Sequence, residues 1–449
     1  MASSPLLQDD LDVYSQVEGD WQHRDSRPKP TPWYYRLYTF LRNGSTGVHF
    51  ALALVCFLIG FGIFASLGMG SGPSEAEIAI RNELIQRNFE NYATVEGGVQ
   101  EDPAAIIVAA LGKEATALGA TSAVEFYIQF SDFSREHARK DASVYDKTQR
   151  FLMFYKNVSM IRLFNDKKRR GYRMEMNQFA DMSPDEFMSM HGVRVTLPKV
   201  GVRQRGTLKV SGVSGGSTSL LEVSSAPADV SPDEGSALGP EEDIDLRRDG
   251  YMTPVKDQGK CGSCWAFATV GVLEPFFKHK RNTDVILSEQ NLVDCVAECH
   301  GCQYGNSYFA YEYARDKGLY RNASYPYSAT CGTCTLPEGE PRFTLAKFGY
   351  SENPDLVQLL KQYGPLTVYV AVSTEWQFYG SGILDHCGEE INHAVVLAGV
   401  GKDEHGPYWL IKNSWGTTWG EQGYVKLARG SSAFDSECGL SHMALYASA

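Results

Sequence analysis

Three side chains far apart in a chain of 449 residues are of the types that together carry out nucleophilic acyl transfer: Cys264, His393 and Asn413. Cys264 lies in Gln258-Gly-Lys-Cys261-Gly-Ser-Cys264-Trp265-Ala-Phe267. Gly262-Ser263 suits a tight turn, and the apolar spacing of Trp265, Phe267, Val270, Leu273 and Phe277 predicts a buried helix from about Cys264 to Phe277. Cys264 then sits in the first helical turn, where unpaired N–H groups and the helix dipole favour the thiolate, the reactive form of cysteine. Taken alone, Cys261-Gly-Ser-Cys264 also reads as a redox or metal-binding C-x-x-C pair. The distant partners favour the nucleophile: His393 follows Cys264 by 129 positions and Asn413 by 149. An imidazole beside a thiol holds the thiolate as an ion pair and passes its proton to a leaving group. A neutral amide orients the ring without adding charge.

These side chains need elements that bring them together. Val395 to Gly399 and Tyr408 to Lys412 read as strands joined by the turn-rich Lys402-Asp-Glu-His-Gly406-Pro407. With the turn centred near Asp403, paired positions sum to 806, which sets His393 directly opposite Asn413 on one face. A one-residue slip would turn one of them away. Pro275, inside the Cys264 helix, removes the bond to the Gly271 carbonyl and is expected to kink or end that helix.

With Pro254-Val-Lys-Asp-Gln258-Gly, Cys261-Gly-Ser-Cys264-Trp265, Tyr325-Pro326-Tyr327, Asn413-Ser-Trp415-Gly416, Trp419-Gly420 and Gly423-Tyr424, the chain resembles the papain family of cysteine proteases over residues 244 to 445. The resemblance is to the cathepsin L-like and falcipain-like branch. It implies Cys264 as nucleophile, His393 as general base and acid, Asn413 as orienting group, and Gln258 as an oxyanion donor beside the Cys264 N–H. It implies Trp415 and Trp419 as a shield over the His393–Asn413 contact. Gly305 matches the glycine whose backbone pairs with the substrate strand, with Tyr304 where a second glycine is usual. Asn306, Ser307, Tyr369, Ile391, Ala394 and Met443 would line the pocket for the side chain two residues before the scissile bond. The uncharged Met443 at its floor then predicts apolar side chains over arginine. No cofactor or metal is needed for such chemistry. An inactive homologue serving as a membrane-tethered binding protein is the alternative from another class; the presence of all four polar groups argues against it.

Of ten cysteines, Cys56 stands apart and nine follow residue 260. With Cys264 set aside, eight remain, an even number suited to bridges in an oxidising lumen. The resemblance pairs Cys261 with Cys302, Cys295 with Cys334, and Cys387 with Cys438. Cys299 and Cys331 then form an expected fourth bridge, against a zinc site built from Cys299-His-Gly-Cys302 and Cys331-Gly-Thr-Cys334.

A formal charge of −12 argues against nucleic acid as a partner. Residues 1–47 are polar and proline-containing and read as a cytosolic tail, in which Leu6-Leu7 and Tyr14-Ser-Gln-Val17 resemble endosomal sorting signals. Val48 to Leu67 carries no charged side chain apart from His49 at its edge and is long enough to span a bilayer. The basic residues on its N-terminal side place that side in the cytosol, so 48–69 reads as a transmembrane signal anchor, the one membrane contact, and 70–121 as a lumenal spacer, Gly/Ser-rich at first and then Ala- and Glu-rich, helical sequence. From residue 122, Asp146, Arg150, Phe154, Asn157, Ile161 and Asn165 recur on one helical face, followed by Asn177-Gln-Phe179-Ala-Asp181. This resembles the inhibitory prosegment of cathepsin L-like proteases, with Asp146 and Glu175 where glutamate and glycine are usual, and sets 122–195 as a prodomain acting as an intramolecular inhibitor. Residues 196–243 read as a linker holding the maturation site, with release near Glu242. Leu246 stands where tryptophan is common just after the mature start. Asn157-Val-Ser159 and Asn322-Ala-Ser324 are lumenal glycosylation sequons.

The expected whole is α+β: a papain-like two-subdomain fold spanning 244–449, helical to about residue 347 and β-barrel-like after it, behind a helical prodomain and one transmembrane helix. It would hydrolyse protein and peptide substrates through a Cys264 thioester, as a type II zymogen of the endolysosomal pathway whose mature enzyme works in an acidic, lysosome-like or vacuolar lumen.

Overall fold

The structure, a computed structural model, describes residues 74–87, 102–140, 143–167, 171–190, 243–248, 250–430 and 438–449. The apolar run Val48–Leu67 and most of the linker lie outside these residues. Among the described residues, no helix is long and apolar enough to cross a membrane.

Five helices open the described chain: α1 (Glu75–Gln86), α2 (Pro103–Leu111), α3 (Lys113–Leu118), α4 (Ala120–Glu136) and α5 (Val144–Asp166). The first three occupy the stretch read as a spacer. They are packed structure, because Ile80 and Leu84 of α1 and Ile106, Ile107 and Leu111 of α2 are buried in one core with Phe130 and Phe133 of α4 and Phe151 and Phe154 of α5.

The polar residues on α5 are consumed by one local task. Arg150 donates to Glu186 at 2.8 and 2.6 Å and to the Asp181 carbonyl at 3.1 Å. Asn157 donates to the carbonyls of Ala180 and Met182, both at 2.9 Å, and Asn165 brackets the Met174 backbone at 2.7 and 3.0 Å. The helix thus holds β1 (Tyr172–Met174) and the loop leading to α6 (Pro184–Ser189), which opens on a Ser183/Glu186 capping box. Asp146 sits apart from this network, sharing hydrogen bonds with Ser143 at the helix start. Asn157 is buried and spends both amide protons here, so a glycan on it is incompatible with this fold.

In the mature region the chain is helical first: α7 (Cys264–Arg281), α8 (Glu289–Cys295) and α9 (Ser307–Asp316). Pro275 does not end α7, which runs on to Arg281 and closes on Asn282 in the left-handed region at φ 51°. After α9 come β3 (Lys347–Glu352), α10 (Leu356–Tyr363), β4 (Leu366–Val370), β5 (Tyr379–Leu384), β6 (His393–Asp403), β7 (Gly406–Lys412), β8 (Tyr424–Ala428) and β9 (Met443–Ser448). The sheet order is β1-β5-β8-β7-β6-β4-β9-β3, with the short β2 (Ile244–Asp245) on β6. Prosegment strand β1 is therefore added to the β5 edge of the mature sheet, Tyr172 opposite Gly382. Leu246 packs against the core without a tryptophan's bulk, its N–H donating to the Ala398 carbonyl at 3.1 Å.

Three disulfides form: Cys261–Cys302, Cys295–Cys334 and Cys387–Cys438. Cys302 and Cys334 are thereby removed as thiolate zinc ligands, and Cys261 as a redox partner of Cys264. The expected fourth bridge is absent, since Cys299 and Cys331 are thiols. Cys299 is turned inward, its sulfur accepting from the Asn306 N–H at 3.4 Å, and burial pushes it up to about 12. Cys331 is exposed and lies against Gly301.

Candidate active site

Cys264 is the first residue of α7 and is fully buried. The turn before it is held by two bonds, Gly262 N–H to the Cys302 carbonyl at 2.8 Å and Ser263 N–H to the Cys261 carbonyl at 2.7 Å. Tyr327 braces the same loop, its hydroxyl 2.8 Å from the Gln258 carbonyl and 2.7 Å from Ser263 Oγ. Behind the cysteine, α7 lies close along β6. A Cβ on Gly271 would come within 2.9 Å of Val396 Cγ2, so only glycine fits that crossing without a shift.

His393 begins β6 and is opposite Val370 of β4. The expected register is corrected here: the outer hairpin pairs Val400 with Trp409 and Asp403 with Gly406, a sum of 809, while the inner part pairs Leu397 with Ile411 and Val396 with Lys412, a sum of 808. Ala398 is the extra residue between the two. The odd sum would turn Asn413 away from the face of His393. The bulge restores an even sum and leaves the two as diagonal neighbours on one face, within reach of long side chains.

The contact is made, with His393 Nε2 2.8 Å from Asn413 Oδ1. The same oxygen accepts the Ser414 N–H at 2.8 Å, which pins the amide orientation. An amide oxygen only accepts, so Nε2 carries the proton and Nδ1 is the basic nitrogen. Trp415 stacks on the imidazole at 5.0 Å between centroids, and Trp419 meets Trp415 edge-on at 4.8 Å. Burial pushes His393 down to about 4, with the bond to Asn413 only partly opposing it.

Gln258 is buried. Its Nε2 donates to the carbonyls of Cys261 at 2.9 Å and Met190 at 3.4 Å, and its Oε1 accepts from Ser414 Oγ at 2.6 Å. Ser414 and Tyr327 are the positioning groups that sequence reasoning passed over, although each stands inside a motif it singled out. Met190 belongs to the prosegment, so a pro-chain carbonyl already engages the amide donor expected to meet a reaction's oxyanion. The prosegment also covers Trp415, with Phe179 at 5.8 Å and Phe187 at 5.2 Å, and Gln178 donates to the Trp415 carbonyl.

The expected substrate residues fall in two groups. Gly305 passes over Trp265 so closely that a Cβ would lie 2.3 Å from the indole. Tyr369, Ala394 and Met443 share a buried apolar cluster with Cys264 and Trp265, and Ile391 packs against it. Asn306 and Ser307 are committed to structure: Asn306 caps α9 and accepts from the Tyr369 hydroxyl at 3.4 Å, and Ser307 Oγ donates to the Trp265 carbonyl at 3.0 Å.

Comparison with known proteins agrees with this geometry. Residues 240–448 match the papain family cysteine protease, and residues 130–187 the cathepsin propeptide inhibitor domain (I29). Ananain of Ananas comosus is 33% identical over 324 residues, covering 71% of this chain and 86% of ananain. Cathepsin L 2 of Paramecium tetraurelia is 36% identical, covering 67% and 87%. The structure of digestive procathepsin L 3 of Tenebrio molitor superposes with a TM-score of 0.58 at 30% identity, over 72% of this chain and 99% of that one. The chain belongs to the papain family of cysteine proteases and carries the propeptide of a zymogen.

Proposed function

We propose that the protein is a cysteine endopeptidase made as a membrane-anchored zymogen, with Cys264 as nucleophile. The observation that carries the catalytic assignment is the buried His393–Asn413 bond beneath Trp415, on the strand that packs along the Cys264 helix. Cys264 Sγ attacks the substrate carbonyl while Gln258 Nε2 and the Cys264 N–H receive the oxyanion. The C–N bond breaks as His393 returns its proton to the leaving amine, and a thioester remains. Water deprotonated by His393 then hydrolyses it and frees the thiol.

The substrate backbone adds to Gly305, and the side chain two before the scissile bond enters the pocket of Tyr369, Ile391, Ala394 and Met443, with Asn306 and Ser307 fixing its wall. An apolar floor at Met443 favours leucine, valine or phenylalanine over arginine, because a guanidinium there would be buried without a counter-charge. The uncharged run Val48–Leu67 with basic residues before it supports the anchor. Cleavage in the 196–243 linker then releases a soluble enzyme into an acidic lumen.

An epoxide thiol inhibitor should label Cys264 and leave a Cys264→Ala chain unlabelled. Peptides differing only two residues before the cleaved bond should favour leucine over arginine at least tenfold in kcat/KM; preference for arginine sinks the specificity.

A further inference from the structure

A cavity of about 190 Å³ opens where the prosegment meets the mature domain, lined by Arg139, Lys140, Arg150, Asp181 and Lys260, with Ala138 and Met182. That is far above the ~10–15 Å³ needed for one water. We infer that it is a binding site for a phosphate or sulfate group, and that its occupant holds the zymogen closed. This goes beyond the peptidase reading and does not depend on which peptides are cleaved.

The charge count carries the inference. Arg139 is paired with Asp181 at 2.9 Å, and Arg150 with Glu186 at 2.6 Å, so those charges cancel. Lys140 and Lys260 make no hydrogen bond or ion pair with a described residue, and Arg139 Nε is buried without an acceptor among them. Two positive charges without a partner among the described residues therefore converge on one cavity, beside the Arg139 and Arg150 guanidinium groups. That matches a tetrahedral dianion, which takes charge-assisted bonds from several cations at once.

The two lysines lie on opposite sides of the boundary. Lys140 follows α4 of the prosegment, whereas Lys260 lies between Gln258 and Cys261, in the loop that presents the oxyanion donor. Burial raises the Glu186 carboxyl, but the bonds from Arg150 and Ser183 and, behind them, the charges of Arg150 and Lys260 hold it below the usual range, so the Lys260 charge reaches the prosegment. An anion bridging the lysines ties the prosegment to that loop.

The test uses the full-length chain carrying Cys264→Ala, unfolded by heat in sodium phosphate, sodium sulfate or sodium chloride at one pH and ionic strength. Phosphate or sulfate should raise Tm saturably by several degrees. Lys260→Ala should unfold normally in chloride and lose that response; being exposed, this side chain is not needed for folding. In the active chain, phosphate should slow self-processing several-fold. A sulfated oligosaccharide that reproduces the shift when free ions do not would assign the same chemistry to a sugar-borne group. An equal response in Lys260→Ala, no response to any of these anions, or faster processing overturns the inference.

Discussion

Two buried polar arrays face one small cavity between α7 and β6, and they meet the cost of burial in opposite ways. On one side, Lys256 lies 2.7 Å from Glu274 and 2.6 Å from Glu289. Burial alone would lower Lys256, but the two carboxylates raise it; burial raises Glu289 in turn, since one ammonium must serve two acids. On the other side, His393 has a neutral partner in Asn413 and is driven well below its ordinary range. Opposite charges in direct contact make the first array a fastener between the mature segments. The neutral amide leaves His393 basic at Nδ1 and able to become a cation once a thiolate forms beside it, which suits it to chemistry.

The strongest way to break this contrast is His393→Ala. It should lower kcat/KM by on the order of 10⁶ while leaving the zymogen's Tm within a few degrees; a large Tm loss would place His393 among the structural groups. Lys256→Ala should show the reverse signature, because it strands Glu274 and Glu289, both about 1% exposed. Urea unfolding should then lose about 3–5 kcal/mol, and Glu289→Gln added to it should recover part of that. Additivity of the two changes would contradict a shared array.

The smallest effect is the pH dependence of His393. Its folded value near 4 lies below the ordinary 6.5, so between these pH values the unfolded chain binds more protons. Stability from this residue is fully present above pH 6.5 and is lost as pH falls to 4, about 3 kcal/mol in all. In a Cys264→Ala background, which prevents self-cleavage, His393→Ala should flatten the urea-derived stability profile across that window. An unchanged slope would mean that His393 is not held neutral.

Much of the site was legible because it is written locally. Glycine and serine before an apolar 3.6-residue spacing predict a helix start at Cys264, and the polar positions on α5 fall on one face whatever they later bind. The even sum of 806 predicted that His393 and Asn413 share a face, which they do, although the pairing itself was displaced. The Ala398 bulge that settles this has no local marker in an apolar run. The Ala- and Glu-rich sequence before Ala120 reads as helical, and it is, but the burial of its helices in the core was not legible, because alanine-rich sequence looks the same whether it packs or spaces.

By itself, then, the sequence determined which residues could react and which face of the prosegment helix holds its own loop, since each is a matter of residue type and short-range period. Tertiary structure alone decided the hairpin register, the inward turn of Cys299 that leaves it a thiol, and the Met190 carbonyl on Gln258. Those outcomes depend on competition among backbone hydrogen bonds and packing between segments tens to hundreds of residues apart, and no nearby residue records which partner wins.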